Sequence, residues 1–218
     1  MVDLEVRLPS REQRASASPR RKPMAEVSCF IEDGGVREIV VPVRAAKLLL
    51  TSPPGLPCEE STAFDLIHDI EYKACKDALI DMLSRRDHSV REIEERLYSY
   101  GYRSEEIKKT VTFGVDRGFL DDVRFASTFI STRKLRGWGR RRIELELKKA
   151  GVSAEDVPGY PDDYFSSEED YDRAVSMLSR KSIPETRAKE KFIRFLVARG
   201  FDYDVSRHAA EYVLEQSC

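Results

Sequence analysis

The sequence predicts an all-α fold: three tandem three-helix repeats forming an elongated curved array, preceded by a small N-terminal β-hairpin. Three observations carry this reading. Gly101, Gly151 and Gly200 recur 50 and 49 residues apart. Eight residues before each stands Ile93, Ile143 or Phe192, and four before stands Leu97, Leu147 or Leu196. From residue 62 onward the apolar residues recur at the three-and-four spacing of a buried helix face. A period near 50 marks a helical repeat array, in which each unit buries its apolar face on its neighbours.

The elements follow in chain order. Residues 1–23 mix Ser, Pro, Arg and Glu and end in Arg20-Arg21-Lys22-Pro23, the composition of a disordered tail. Residues 24–61 are expected to be a hairpin extension and linker. Val27, Cys29 and Ile31 alternate with polar residues, Asp33-Gly34-Gly35 supplies turn glycines, and Ile39 to Val43 forms the return strand. Pro53, Pro54, Gly55 and Pro57 then break any regular element. The repeats are assigned to residues 62–118, 119–163 and 164–218.

Each repeat opens with an apolar-faced helix, represented by Leu79/Met82, Phe125/Ile130 and Ala174/Leu178. The helix ending in Gly101, Gly151 or Gly200 follows, because glycine reaches the left-handed conformation of a C-cap without steric cost. A third helix completes repeats one and three; in repeat two Pro158 and Gly159 shorten it. Ser89 with Glu92 reads as a capping box, Ser167 with Asp170 as another N-cap, and Pro184 as a residue of a first helical turn.

Composition excludes several functions. Lys plus Arg is 37 and Asp plus Glu is 39, so a wholesale polybasic protein is excluded while a local basic patch is not. No apolar run reaches the roughly 18 residues of a membrane span, and the N-terminus lacks a basic-then-apolar leader, so a cytoplasmic protein is expected. Cys29, Cys58, Cys75 and Cys218 are scattered, which argues against a disulfide framework or zinc site. Asp87-His88-Ser89 are consecutive and cannot easily converge as a triad. Gly34-Gly35 lacks the Lys-Ser/Thr of a phosphate loop. A protein with no catalytic residues, metal or cofactor of its own is expected.

Five stretches together resemble the RecX family, regulators of the RecA recombinase: Leu83-Ser-Arg-Arg-Asp-His-Ser89, Gly118-Phe-Leu-Asp-Asp-Val-Arg-Phe-Ala126, Arg136-Gly-Trp-Gly-Arg-Arg-Arg-Ile143, Leu147-Lys-Lys-Ala-Gly151 and Ala198-Arg-Gly-Phe-Asp-Tyr203. They occur in family order over residues 72–217, and the hairpin resembles an extension of some members. The resemblance implies an all-helical regulator lying in the groove of the RecA filament on single-stranded DNA. It implies modulation, most simply inhibition, of ATP hydrolysis, strand exchange and co-protease activity, with roles in recombination, repair and the SOS response. The acidic, proline-containing connector from Pro158 to Ser167 departs from the family pattern.

Charge is unevenly distributed. Residues 131–150 hold eight cations (Arg133, Lys134, Arg136, Arg140, Arg141, Arg142, Lys148 and Lys149) against Glu144 and Glu146, while residues 155–172 hold eight acids and no Lys or Arg. On the helix after Gly139, Ile143, Leu147 and Ala150 form the buried stripe, and Arg141, Arg142, Lys148 and Lys149 surround an outward Leu145. Leu145 reads equally as a contact anchor and as packing on a neighbouring helix. Trp138, in a Gly-Trp-Gly joint, either packs the turn or stacks on a partner. Arg85 and Arg86 add a second basic point, which could equally complement a helix C-terminus. The expected partner of these residues is the RecA nucleoprotein filament, with single-stranded DNA as a second contact and the chain acting as a monomer. The alternative is a helical repeat protein binding nucleic acid directly.

Overall fold

A computed structural model describes residues 2–18, 22–31, 35–51 and 59–216. The chain divides into two compact units, residues 1–121 and 122–218.

The first unit begins with a three-stranded antiparallel sheet in the order β1-β2-β3: β1 Val2–Arg7, β2 Met24–Ile31 and β3 Val36–Pro42. This corrects two expectations. The sheet has a third strand, and the segment expected as a disordered tail contributes it. Leu4 faces Cys29 and Val6 faces Val27 across the β1–β2 ladder. Leu4 and Val6 pack on the core, so a short alternation of apolar residues outweighs the polar composition around it. Helix α1, Arg11–Ala15, is closed by a reciprocal capping box: Ser10 Oγ accepts from Gln13 N–H and Gln13 Oε1 accepts from Ser10 N–H. Asp33 and Gly34 of the expected turn, the linker prolines, Arg20, Arg21, Cys58 and Cys218 lie outside the described residues.

Helix α2, Val43–Thr51, covers the sheet with Ala45, Ala46 and Leu49, opposite Ala25, Val27 and Cys29 of β2. The same core continues into α3 (Glu60–Leu83), α4 (Val90–Ser99) and α5 (Ser104–Asp116) through Ile67, Leu79, Ile93, Leu97 and Ile107.

The second unit holds α6 (Asp122–Leu135), α7 (Arg140–Lys149), a short 3₁₀ turn (Ala154–Asp156), α8 (Ser167–Leu178), α9 (Ala188–Ala198) and α10 (Tyr203–Glu215). The fold is thus helical, with three-helix repeats following a small N-terminal sheet. Gly101, Gly151 and Gly200 have φ of 90°, 79° and 92°, the left-handed conformation expected at their C-caps. In the second repeat the third helix is reduced to the 3₁₀ turn. The acidic connector replaces it, since Val157, Tyr160, Tyr164 and Phe165 pack on the Phe125, Ile143 and Leu147 core. Two sequence expectations shift. Ser166, rather than Ser167, caps α8, accepting from Glu169 N–H at 3.1 Å. Pro184 lies in the loop before α9, which starts only at Ala188.

Candidate partner-binding face

Helix α7 has an unusual construction. Its first turn carries Arg140, Arg141 and Arg142 and no acid, at the end where the backbone dipole favours negative charge. Its N-cap is Gly139, which supplies no side-chain acceptor. The orphan amides are met instead by the end of α9. Gly139 N–H donates to Arg199 O at 2.8 Å and Arg141 N–H to Gly200 O at 3.1 Å. The negative end of α9 therefore faces the arginine-rich start of α7, which offsets the unfavourable placement. Gly139 is a buried contact point.

The predicted binding residues separate into two groups. Several serve the unit's own structure. Lys134 is 15% exposed; its Nζ donates to Tyr164 O and pairs with Glu169 at 2.9 Å. Arg140 binds Glu144 at 2.7 Å, and Tyr160 Oη donates to the same carboxylate oxygen at 2.6 Å. Burial, then the adjacent Glu144 carboxylate, pushes the Tyr160 hydroxyl pKa up. Arg141 is paired with Asp202 at 2.5 Å. Arg133 lies against the rings of Phe129 and Trp138, 4.8 Å from each centroid. Trp138 is half-buried and packs edge-on against Phe129.

The second group remains available to a partner. Leu145 is 53% exposed, so it does not pack into the unit's core. Lys148 is exposed and forms no ion pair among the described residues. Among the described residues Lys149 pairs only with Glu146, three residues away on the same helix. Arg142 covers the outer face of Trp138, with its guanidinium carbon 4.0 Å from the ring centroid. Arg136 is exposed just past the end of α6.

In the first unit, Arg85 is exposed, whereas Arg86 binds Glu92 at 2.8 Å. Glu92 also receives His88 Nδ1 at 2.9 Å, so its carboxylate works on these two side chains while its amide takes the Ser89 cap at 3.1 Å. Ser89 is fully buried and serves the helix end. Burial opposes ionisation of Glu92, but the Arg86 guanidinium and His88 outweigh it and hold the carboxyl below its usual range. Burial, with Arg86 nearby, holds the His88 pKa down.

Two features escape the sequence reading. Glu71 and Glu106 are buried carboxylates on α3 and α5. Arg103 holds Glu71, through its backbone N–H at 3.1 Å and its Nε at 3.3 Å. Burial nevertheless raises the Glu71 pKa, and it pushes the neighbouring Cys75 thiol up to about 12. The signal was present: Glu71 falls on the Ile67/Ala74/Ala78 stripe, where a charge is out of place. The other is a cationic cavity beside the sheet, described below. Among the described residues no group of three or more His, Cys, Asp or Glu is arranged to hold a metal ion, and no helix is long and apolar enough to cross a membrane.

Two family models match the helical part. The first three-helix domain of RecX matches residues 75–113, and the second three-helix domain matches residues 121–157. A regulatory protein RecX from Vibrio vulnificus (strain CMCP6) is 35% identical over 142 residues, covering 62% of this chain and 90% of that protein. The chain belongs to the RecX family. A RecX from Chromohalobacter salexigens is 33% identical, covering 65% of this chain and 94% of the relative. The crystal structure of RecX from Lactobacillus salivarius aligns at a TM-score of 0.53 and 20% identity, over 65% of this chain and 96% of that one. A second RecX crystal structure aligns at 0.56 and 16% identity over 97% of this chain and all of the other, a likeness of fold. Arg136–Ile143, carrying much of the α7 basic face, lies inside the match to the second RecX domain.

Proposed function

We propose that this chain is a non-enzymatic regulator, most simply an inhibitor, of RecA recombinase, which it contacts on the RecA filament assembled on single-stranded DNA. Family membership supports regulation of RecA. The contact is assigned to the outward side of α7, and one observation carries it: Leu145, Lys148 and Lys149 form an exposed apolar centre with cations beside it, half-buried Arg142 lies one turn earlier against Trp138, and Lys148 has no carboxylate partner among the described residues. An apolar anchor inside a charged rim is the arrangement of a protein interface hot spot. The complementary surface is acidic: the lining of the filament groove, with DNA phosphate as a second contact. Groove occupancy would obstruct strand exchange and access of co-protease substrates.

The test is DNA-dependent ATP hydrolysis and strand exchange by the RecA of the same cell, titrated with this chain and with a Leu145→Ala/Lys148→Glu variant. Inhibition by the native chain and its loss in a folded variant are expected. Equal inhibition by both would remove α7 as the contact. RecA-independent binding to single-stranded DNA through α7, with a steep salt dependence, would favour direct nucleic-acid recognition instead.

A further inference from the structure

The first unit contains a cavity of about 830 Å³, lined by α1, the segment leading into β2, α2, α3 and the end of α4. Four cations line it: Arg14, Lys22, Arg44 and Lys47. Its one lining acid among the described residues, Asp81, is taken by Arg44 at 2.5 Å. Arg14 donates its Nε to Pro9 O at 3.0 Å, and its terminal nitrogens have no partner among the described residues. Lys22 Nζ sits 3.8 Å from the centroid of the Tyr100 ring. Lys47 is exposed and pairs with no carboxylate among the described residues. Three cations with no carboxylate partner among the described residues therefore line one cavity, in a chain whose net charge is −2. Pro42, Val43 and Ala78 add apolar surface to its wall.

We propose that this cavity binds a nucleotide phosphate. Arg14, Lys22 and Lys47 take the phosphate oxygens, and the sugar and base lie on the apolar wall beside Tyr100. The volume is in the range of small-ligand sites, roughly 300–1,000 Å³, and larger than an inorganic anion needs. A flat base suits a wall of proline, valine and tyrosine, and a lysine already stacked on tyrosine is a cationic edge for its phosphate. The same chemistry has two sources, a free mononucleotide or one unit of a single strand. The proposal rests on the first unit alone and requires neither RecA nor α7.

The test uses the full chain without RecA, with fluorescence anisotropy of two probes: a labelled ATP analogue and a labelled oligothymidylate of about 15 nucleotides. Binding of both identifies a mononucleotide pocket; binding of the oligothymidylate alone identifies a strand site. In either case Arg14→Glu/Lys47→Glu is expected to weaken binding by at least about tenfold and to flatten the salt dependence by about one to two units. Lys47→Ala, a milder change, should weaken it in the same direction and covers the possibility that charge reversal perturbs folding. Lys148→Glu on α7 should leave it unchanged. Wild-type chain that binds neither probe overturns the proposal. So does undiminished binding by Lys47→Ala and the folded double variant, or loss of binding with Lys148→Glu instead. RecA is absent from every arm, so these outcomes are independent of those in the filament assay.

Discussion

Gly139 donates its amide hydrogen to the carbonyl oxygen of Arg199 at 2.8 Å, joining the start of α7 to the end of α9. The approach is so close that a Cβ on Gly139 would lie 2.3 Å from the carbonyl carbon and oxygen of Gly200 and from Phe201 N. The obstruction is backbone, which cannot swing aside. Gly139 has φ of −83°, so alanine is excluded by space and not by conformation. Gly139→Ala should destabilise the second unit by about 1–3 kcal/mol, the usual cost of overpacking. Thermal unfolding measured beside Gly118→Ala is the check. Gly118 has open space around it and φ of 65°, so it isolates the conformational cost from the steric one.

The same junction revises what the arginines of α7 mean. Arg141 pairs with Asp202, the N-cap of α10, and the α9 terminus offsets the charge at the α7 N-terminus. Arg141 and Asp202 are both exposed, so removing Arg141 should cost at most about 1 kcal/mol, whereas Lys148→Ala should leave stability within about 0.5 kcal/mol, as for an exposed side chain that makes no ion pair among the described residues. Lys148→Ala should weaken filament binding more than Arg141→Gln does at matched folded fraction. Lys134→Ala provides the contrast. It leaves Tyr164 O short of a donor in a half-buried site, so it should lower stability by about 1–3 kcal/mol and alter binding only through folding. Binding affinity and thermal midpoint for these three variants separate the two roles.

The helical periodicity and the glycine spacing were enough to read the helices, because both report burial along one chain segment. Ile93, Ile143 and Phe192 are all buried on that basis. What the sequence could not reveal depends on which segments meet. A basic run looks uniform in sequence, yet Lys134 is sealed under Glu169 while Lys148 is open, because only the former has a carboxylate brought in from 35 residues away. The N-terminal strand illustrates the same limit. Val2, Leu4 and Val6 alternate, but three such positions among Ser, Pro and Arg carry little weight until β2 presents Val27 and Cys29 opposite Val6 and Leu4.

Ser89 is fully buried at the start of α4, where its hydroxyl accepts from Glu92 N–H at 3.1 Å. Ser89→Ala should cost about 1 kcal/mol, the usual value of an N-cap hydroxyl. Chemical denaturation should show a lower midpoint with an unchanged slope, since the surface exposed on unfolding stays the same. RecA inhibition at a temperature where the variant is fully folded should match the native chain. Lost inhibition with full stability would give Ser89 a role beyond its helix.

Glu71 offers a test of how the first unit tolerates a buried charge. Its carboxyl pKa is raised, first by burial, with the nearby Glu106 carboxylate adding to the effect and Arg103 opposing it. A carboxyl with a folded pKa above its unfolded value contributes stability that is fully present below the unfolded pKa, about 4.3 for Glu. That contribution is lost as pH rises through the folded pKa. Glu71→Gln retains an oxygen for the Arg103 amide and carries no charge. Its thermal midpoint relative to the native chain should therefore be most favourable at pH 8. The advantage should shrink steadily toward about pH 4, where the native carboxyl is protonated too. Taking the difference between the two chains cancels the opposite trend from Glu92 and His88, whose depressed pKa values make acid destabilising. Differential scanning fluorimetry across this range gives the curve. A variant less stable at pH 8 than at pH 4, relative to the native chain, would mean that the Arg103 ion pair outweighs the desolvation of Glu71.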